Sequence, residues 1–592
     1  MKQLPEQHSL REKVLEFLKR YPSQTFKSKE LQRRLGIKDE REYSELRKTL
    51  GALEKEKLIL RIKGKHFKHQ AHQSNRYVGE FAMKKGFGVV QIDNEDFREI
   101  IIPQKFCSTA MDGDTVEVAL FVEHNKHTLK TDKHEGEVVK IIKRAKEEIV
   151  GKFERSGNFY FVVPDDGKKS SRDIYIPKSA INKARIGDKV IAIVERWEDR
   201  NLNPEGRVVE VLGKSGEVRA EMLSVIREFK LPEKFPSQVI DEAENVATEI
   251  SEEEIATRLD LRNEIIFTID PEDAKDFDDA VSLEVLENGN FSLGVHIADV
   301  SHYVRENSLL DKEAFKRGTS VYLADAVVPM LPEELSNDIC SLRPKVDRLT
   351  YSSIMEISPR GVVKNYEIKK SVINSKRRFT YEEVQNIIET KRGDFAEKIL
   401  LMYELSKVLL KKRLREGSID FGSEEAKFRF DEFGKPTAII KKSRLDSMRL
   451  IEEFMLLANQ TVAKHIAVQP KKRDTKTQQT IRPFVYRIHE SPLPEKIAEF
   501  AEFVKQFGYS LPPRDVSSKA LQKLIDETRG TAEENVINDI AIRSMAKAIY
   551  SEENIGHFGL GFKYYTHFTS PIRRYPDLLV HRLLFEYKHG MN

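Results

Sequence analysis

Five aspartates lie within ten residues of the chain, in the stretch TIDPEDAKDFDDAV, and four of them are candidate site residues: Asp270, Asp276, Asp278 and Asp279. The apolar runs before and after them, EIIFTI and AVSLEVL, are typical of buried strands, so the loop between is expected to face the interior of a domain. Carboxylates gathered there repel one another, and some would take up protons unless a cation balances their charge. Oxygen ligands of this kind suit a hard divalent cation such as Mg²⁺, which often accompanies phosphates.

The same loop allows other interpretations. An EF-hand calcium loop does not fit, because it needs Gly at its sixth position and Glu at its twelfth, where a loop counted from Asp270 has Lys275 and Val281. A solvated acidic turn stays open, since aspartates are common in turns. Metal ions held by shared carboxylates would activate a water and stabilise both oxygens of an in-line phosphodiester displacement. Phosphodiester hydrolysis is therefore the leading hypothesis from these residues.

The elements that must position this loop belong to a large mixed domain, which is predicted to occupy residues 262–592. It opens with the strand-like runs EIIFTID, DAVSLEVL and FSLGVHIADV, and it continues into long helical stretches at 380–416 and 445–466. A connector is predicted before it, at residues 216–261.

Two copies of a small β-barrel are predicted ahead of the connector, at residues 76–146 and 147–215. The pairs IIIP/IYIP, DGDTVEV/IGDKVIA and GEVVKI/GRVVEV recur at matching places, which indicates an internal repeat. Five short strands suit the OB fold, which binds single strands by stacking bases on aromatic rings. Phe87, between glycines beside two lysines in KKGFGVV, is predicted to be an exposed stacking ring rather than a core residue. The barrels resemble cold-shock domains.

The first part of the chain, residues 1–72, is predicted to form a winged helix-turn-helix domain. Leucines at helical spacing mark three helices, and the basic run LILRIKGKHFKH indicates a hairpin. Residues 1–75 carry 19 Lys and Arg against 10 Asp and Glu, an excess that attracts polyanions. The pattern leaves open whether this domain contacts DNA, RNA or another protein.

The whole chain has 592 residues and a net charge of only +4, so several domains are expected and no overall basic field marks a nucleic-acid partner. Its two cysteines lie far apart, which argues against a disulfide framework or a thiolate zinc site. The first residues lack the apolar core of a signal peptide, and no long apolar run predicts a membrane span. A cytoplasmic protein without membrane contact is expected.

The aspartate stretch and four further stretches resemble the ribonuclease II/RNB exoribonuclease family, most closely its ribonuclease R branch. The further stretches stand in the family's order: HIADVSHYV, PMLPEELSNDICSLRP, YRIHE and HFGLGFKYYTHFTSPIRRYPDLLVHR. The resemblance implies a multidomain α+β protein with a winged helix, two cold-shock-like OB barrels and a mixed α/β RNB catalytic domain. It also implies processive, Mg²⁺-dependent 3′→5′ hydrolysis of single-stranded RNA to nucleoside 5′-monophosphates.

The resemblance assigns roles to individual residues by their place in the motifs. The four aspartates become the metal-holding carboxylates, with Asp278 the one whose loss is most damaging, and Arg573 in TSPIRRYPD contacts the scissile phosphate. Base stacking is implied for Tyr322 in GTSVYLAD and for Phe421 in GSIDFGS. Ribose recognition is implied for Tyr381 in RRFTYEEV and for Glu452 in RLIEEFMLLAN.

Other functions and partners are consistent with part of the pattern. A non-catalytic RNA-binding regulator that keeps the fold is the alternative, although it gains nothing from four intact aspartates. A winged-helix transcription factor would need neither the aspartates nor the two barrels. A monomer is the default expectation, with RNA-decay or ribosome-associated proteins as further partners. Family chains continue into a C-terminal OB-fold RNA-binding domain, so the catalytic domain is expected to be C-terminally incomplete.

Overall fold

The computed structural model of the chain describes residues 10–21, 25–56, 58–62, 66–69, 76–84, 86–93, 98–121, 134–145, 148–165, 172–199, 202–323, 326–422, 425–431, 436–442, 444–468, 483–514 and 516–589. The chain divides into two compact units, residues 1–231 and 232–592. The boundary falls inside the predicted connector.

The first unit begins with three helices and a three-stranded antiparallel sheet. In chain order these are α1 (Leu10–Arg20), β1 (Phe26–Lys27), α2 (Ser28–Arg34), α3 (Glu40–Lys55), β2 (Ile59–Ile62) and β3 (His66–His69). The sheet order is β1-β3-β2, and leucines of the predicted helical pattern, among them Leu31 and Leu50, are buried against it. The three helices and the hairpin of β2 and β3 form where the sequence predicts them, and the winged-helix assignment itself stays a prediction.

Two closed five-stranded barrels follow in the same unit. The first consists of β4 (Arg76–Lys84), β5 (Phe87–Gln91), β6 (Glu99–Pro103), β7 (Thr115–Leu120) and β8 (His134–Lys143). The second consists of β9 (Glu148–Ser156), β10 (Phe159–Pro164), β11 (Ile174–Ile176), β12 (Asp188–Arg196) and β13 (Glu205–Lys214). Corresponding strands are paired in the same cyclic order in both barrels, including one parallel pair each, β6 with β8 and β11 with β13. The predicted repeat is therefore a repeat of topology as well as of sequence.

A helix closes the first unit. α4 (Val218–Glu228) packs on the second barrel, where the nearly buried Lys189 of β12 joins Asp165 at 2.5 Å and Glu221 of α4 at 3.1 Å. Those two carboxylates hold the pKa of Lys189 above its ordinary value although burial opposes this.

The second unit is built on a seven-stranded mixed sheet. The strands of the sheet are β14 (Leu259–Leu261), β15 (Phe267–Asp270), β16 (Asp279–Val285), β17 (Phe291–Ala298), β20 (Asp347–Ile357), β21 (Val363–Asn374) and β22 (Arg377–Thr380). Between β17 and β20 the chain forms a separate pair of short strands, β18 (Val321–Tyr322) and β19 (Val327–Val328). The sheet order is β14-β21-β20-β17-β16-β15-β22. The aspartate loop joins β15 to β16 near one edge of this sheet.

Helices cover the second unit. They are α5 (Ser237–Glu244), α6 (Glu252–Ala256), α7 (Val300–Tyr303), α8 (Leu309–Arg317), α9 (Tyr381–Thr390), α10 (Ala396–Glu416), α11 (Asp446–Val468), α12 (Pro494–Lys505), α13 (Ser518–Thr528), α14 (Glu534–Ser544) and α15 (Tyr575–His589). Two further two-stranded ribbons pair β23 (Glu425–Phe430) with β24 (Pro436–Lys442), and β25 (Tyr486–Ile488) with β26 (Ile549–Ser551). None of the described helices is both long and apolar enough to cross a membrane.

Apolar side chains bury the central strands on both sides of the sheet. Val281 and Ile297 point into the core shared with α9, α10 and α11, whereas their neighbours Ala280 and Ala298 point into a second core with α5 and α8. Alternate residues of a strand face opposite sides, so strands covered on both faces need continuous apolar runs. This is why EIIFTID and FSLGVHIA contain so few polar residues.

Candidate active site

The aspartate loop leaves the sheet where β15 and β16 diverge. These strands share only the pair Phe267 and Val281, so the chain between Asp270 and Asp279 is free to form a loop. Asp270 ends β15 and Asp279 begins β16. Asp270 and Asp278 are 8% and 4% exposed, which places their carboxylates inside the unit rather than in a solvated turn. The two ends of the loop therefore lie in the interior, as the flanking strands predict, whereas residues 271–273 and Lys275 are exposed.

A buried serine fixes the middle of the loop. The Ser341 hydroxyl accepts a hydrogen bond from the Phe277 N–H at 3.0 Å and donates to the Lys275 carbonyl at 2.8 Å. The next residue, Leu342, donates its N–H to the Phe277 carbonyl at 3.0 Å. From another side, Arg378 donates to the Glu272 carbonyl at 2.9 Å. The loop is thus held by side-chain and backbone groups that come from distant parts of the chain.

The segment before α15 contacts Asp278 directly. Oδ1 of Asp278 accepts the N–H of Ile572 at 2.9 Å, and Oδ2 lies 3.5 Å from Nε of Arg573. The same segment is anchored from within, because Oδ1 of the buried Asp577 accepts from the Ser570 N–H at 2.8 Å and from Arg574 at 2.7 Å. The predicted phosphate contact and the predicted key aspartate are therefore neighbours.

Burial disfavours ionisation of three aspartates, and repulsion from neighbouring aspartates adds to this for two of them. Burial raises the pKa of Asp278 well above its ordinary value, and Asp276 and Asp279 add to the shift while Arg573 opposes it. Burial and the charge of Asp279 raise the pKa of Asp270 well above its ordinary value. Burial likewise raises the pKa of Asp279 from 3.8 to about 6. The loop therefore concentrates negative charge that the chain itself balances poorly.

A divalent cation fits this donor set by chemistry and burial. Oδ2 of Asp270 is buried and has no hydrogen-bond partner among the described residues. Thr268 is close enough to lower the Asp270 pKa somewhat, yet its own hydroxyl also lacks a partner of normal geometry within that part of the chain. Among the described residues, no cluster of three or more carboxylate, imidazole or thiolate groups lies close enough together to ligate a metal ion without movement of the side chains. The fit therefore rests on the unpaired, buried oxygen of Asp270 and on the raised pKa values of the neighbouring carboxyls.

Two tyrosines border the aspartates. Tyr322, on the β18–β19 hairpin, is 53% exposed, and its hydroxyl donates to Oδ2 of Asp276 at 3.1 Å. Tyr381 is the first residue of α9 and follows Thr380, which pairs with Asp270 across β22 and β15. Burial and the charges of Asp279 and Asp270 raise the Tyr381 pKa, so the phenol stays protonated and able to donate a hydrogen bond.

The remaining predicted residues lie apart from the aspartates along the chain. Phe421 packs partly against the core formed by α12, α13 and α14. Glu452 lies on α11, where its Oε2 accepts a hydrogen bond from Arg444. Phe87 belongs to the first unit, where it begins β5 and is 38% exposed. The ring is therefore not a buried core residue, and its stacking role stays a prediction.

Several site residues escape prediction from the sequence. Ser341, Arg378 and the N–H of Ile572 hold the aspartate loop, and Arg444 holds Glu452. Ser341 and Ile572 do lie in stretches that carry the family resemblance, but nothing in their residue types signals a role.

Comparison with known proteins decides the family. The RNB domain matches residues 258–590, the Ribonuclease B OB domain matches residues 81–141, and the Cold shock domain matches residues 161–236. The chain belongs to the RNB family. This RNB protein is 40% identical to ribonuclease R 1 of Lactococcus lactis, over 98% of its own length and 72% of that protein's. It is also 40% identical to ribonuclease R of Thermotoga maritima, over 94% and 77% of the two lengths.

A solved structure supports the same assignment. Mycoplasma genitalium RNase R in complex with ribose methylated single-stranded RNA superimposes with a TM-score of 0.77 at 28% identity, covering 86% of this RNB protein and 79% of that chain. The predicted family, the two OB-type barrels and the mixed RNB domain are thereby confirmed.

Proposed function

We propose that this RNB protein is a 3′→5′ exoribonuclease that degrades single-stranded RNA processively and releases nucleoside 5′-monophosphates. Its family and its ribonuclease R relatives support the 3′→5′ exoribonuclease activity. The observation that carries the proposed site is the group of three aspartates with raised pKa values beside Arg573: the buried Asp270 and Asp278 and the half-buried Asp279. Such a group is suited to a divalent cation that also holds a phosphate, because the cation would balance the negative charge of both the carboxylates and the phosphate.

The proposed cofactor is Mg²⁺, held by Asp270, Asp276, Asp278 and Asp279. When bound, such an ion supplies activation of the attacking water and neutralisation of the phosphate charge. Arg573 is proposed to donate to the oxygens of the scissile phosphate and to offset the charge that develops there. Its side chain is 42% exposed although it adjoins the nearly buried Asp278, which supports a role toward an incoming ligand.

Nucleotide binding is proposed for residues around this centre. Exposed or half-exposed rings such as Tyr322, Phe421 and Phe87 would stack on bases without regard to sequence, each stack contributing about 1–3 kcal/mol. Tyr381 and Glu452 would hydrogen-bond the 2′-hydroxyl, the group that distinguishes RNA from DNA.

The other parts of the chain are proposed to assist. The proposed boundaries are residues 1–72 for a winged helix, 76–146 and 147–215 for the barrels, 216–261 for a connector and 262–592 for the catalytic domain. The barrels would bind single-stranded RNA by stacking bases on their aromatic rings. A cytoplasmic monomer is the proposed state, with RNA-decay or ribosome-associated proteins as further partners.

The central test is the Asp278→Asn variant with 5′-labelled single-stranded RNA and Mg²⁺. Losing one carboxylate charge at the reacting centre is expected to slow degradation on the order of a hundredfold or more, while RNA affinity, measured by fluorescence anisotropy, stays close to wild type. Asp273→Asn, an exposed position of the same loop outside the proposed set, is the matched control and should keep full activity. Wild-type-like degradation by Asp278→Asn would rule out the proposed centre.

Substrate choice gives a second readout of the same proposal. DNA of identical sequence should resist degradation, and equal degradation of DNA would contradict the roles given to Tyr381 and Glu452. A wild-type protein that binds RNA but never shortens it, at any Mg²⁺ or Mn²⁺ concentration, would instead identify a non-catalytic RNA-binding regulator.

A further inference from the structure

The two adjacent glutamates of α11, Glu452 and Glu453, have different surroundings. Glu453 is buried and paired with Arg413, which also donates to the Ser418 hydroxyl at 2.5 Å. This pair ties α11 to the end of α10 in the interior of the unit. Glu452 lies at the rim with 37% of its side chain exposed, and its hydrogen-bond partner there is Arg444.

Arg444 bridges Glu452 to a second carboxylate. One nitrogen of its guanidinium donates to Oε2 of Glu452, and the other donates to Oδ1 of Asp420 at 2.8 Å. A guanidinium presents its N–H groups in a rigid planar fork, so it fixes two carboxylates relative to each other in a way that an ammonium cannot. The position of Glu452 is therefore set through Asp420.

Asp420 is a firm anchor for this bridge. Its carboxylate is 8% exposed and also pairs with Arg449 at 3.1 Å, while its N–H donates to the buried side chain of Gln522 on α13 at 2.7 Å. Asp420 directly precedes Phe421, the proposed stacking ring. Arg444 thus connects the residue beside the stacking position to the residue proposed to recognise ribose.

The bridge leaves one oxygen of Glu452 available. Oε2 is occupied by Arg444, whereas Oε1 accepts no hydrogen bond from the described residues. A long, flexible side chain on a helix surface would otherwise sample several rotamers, and fixing it beforehand lowers the entropy lost when a ligand binds. A carboxylate with one oxygen anchored and the other exposed is suited to accept a single hydroxyl proton at a defined place.

We propose that Arg444 is a positioning residue for sugar specificity, which holds Glu452 ready to recognise the 2′-hydroxyl of RNA. The proposal rests on the ribose role given to Glu452 above. Arg444 acts through Glu452 and does not itself touch the nucleotide, so its loss should weaken the preference for RNA over DNA rather than degradation in general.

The test is a double-mutant cycle on two substrates, an RNA and the same RNA with 2′-deoxy sugars in its last few nucleotides. The quantity measured is the ratio of kcat/KM for the two. Arg444→Met and Glu452→Gln are each expected to lower this ratio about tenfold, the size expected for a hydrogen bond to a charged group. The double variant should lower it no further, because coupled residues are not additive. Arg543→Met, which removes an exposed arginine that lies 4.0 Å from Asp539 on α14, is the matched control and should leave the ratio unchanged.

The outcomes distinguish the positioning role of Arg444 from the ribose role of Glu452 on which it depends. If Glu452→Gln leaves the ratio unchanged, the ribose role of Glu452 is wrong, and the positioning role of Arg444 is wrong as well. If Glu452→Gln lowers the ratio but Arg444→Met slows both substrates equally, Arg444 contacts the backbone itself and the positioning role alone is overturned. The positioning role would also be overturned if the double variant lowered the ratio by the product of the two single-variant effects. Should Arg444→Met fail to fold, as judged by circular dichroism, Arg444→Lys keeps the charge but loses the fork, and it is expected to lower the ratio as well.

Discussion

Ser341 offers the sharpest test of how the fold builds the site. Its side chain is fully buried, and its one hydroxyl bonds both the N–H of Phe277 and the carbonyl of Lys275. Ser341→Ala would leave the Phe277 N–H without this partner, at a penalty of about 1–3 kcal/mol. The Lys275 carbonyl belongs to an exposed residue that water can reach, so its share should be smaller. A total destabilisation of about 2–3 kcal/mol is therefore expected.

The larger effect of Ser341→Ala should be on catalysis. The hydroxyl bonds the backbone of Lys275 and Phe277, which flank Asp276, and Phe277 directly precedes Asp278. Its loss therefore allows both carboxylates to shift. Misplacement of reacting groups by about 1 Å can slow an enzyme a hundredfold. Single-turnover degradation of labelled RNA at saturating Mg²⁺ is expected to slow by about 10- to 100-fold, with RNA affinity nearly unchanged and faster amide hydrogen exchange in residues 271–280.

A second buried serine supplies the control. Ser353 on β20 is also fully buried, but its hydroxyl has no hydrogen-bond partner within the described residues. Ser353→Ala removes a hydroxyl of the same size without breaking a bond, so stability should change by less than about 1 kcal/mol and activity should not change. Wild-type activity and loop exchange in Ser341→Ala would refute the reasoning, and so would equal losses in the two variants.

Two further predictions concern pH and packing. Because the pKa of Asp279 is raised, the folded protein binds the proton of this carboxyl more tightly than the unfolded chain does. In EDTA, Asp279 therefore stabilises the fold most below about pH 4, and this stabilisation is lost as the pH rises through about 6. Asp279→Asn should thus raise the melting temperature in EDTA at about pH 7.5 but not at about pH 4; equal shifts at both would contradict the assignment. Gly294→Ala should destabilise the second unit by roughly 2–4 kcal/mol in chemical unfolding. The added Cβ would lie 2.3 Å from the Ser282 hydroxyl and 2.6 Å from Nε2 of His296, and it would disturb the 3.0 Å hydrogen bond between these two groups. Unchanged stability of Gly294→Ala would show that the sheet yields without strain.

Local patterns explain what the sequence predicts well. The continuous apolar runs around Asp270 and Asp279 reflect strands covered on both faces, so the runs alone indicate that the ends of the loop, with Asp270 and Asp278, lie in the interior of the unit. The recurrence of IIIP and IYIP reflects one barrel topology used twice. In both cases the signal lies within a few residues of the feature it predicts.

The contacts that complete the site are not local. Ser341 lies 64 residues from Phe277, and Ile572 lies 294 residues from Asp278. Arg378 lies 106 residues from the carbonyl of Glu272 to which it donates. A serine, an isoleucine N–H and an arginine have the same types anywhere on a chain, so spacing along the sequence cannot pair them. The family motifs mark the stretches that contain Ser341 and Ile572 but not the bonds they make.

Another buried aspartate clarifies why the site carboxylates are unusual. Asp299, 1% exposed, lies 2.8 Å from Arg258 and 3.0 Å from Lys370, and these cations lower its pKa below the ordinary value although burial alone would raise it. The chain thus balances a buried carboxylate with fixed cations where the charge serves the fold. Asp278 has one arginine at 3.5 Å, and Asp270 keeps a buried oxygen with no hydrogen bond in the described chain, so burial raises both pKa values. This contrast supports the proposed divalent cation, which would supply the positive charge that the chain provides for Asp299 but only in part for Asp270 and Asp278.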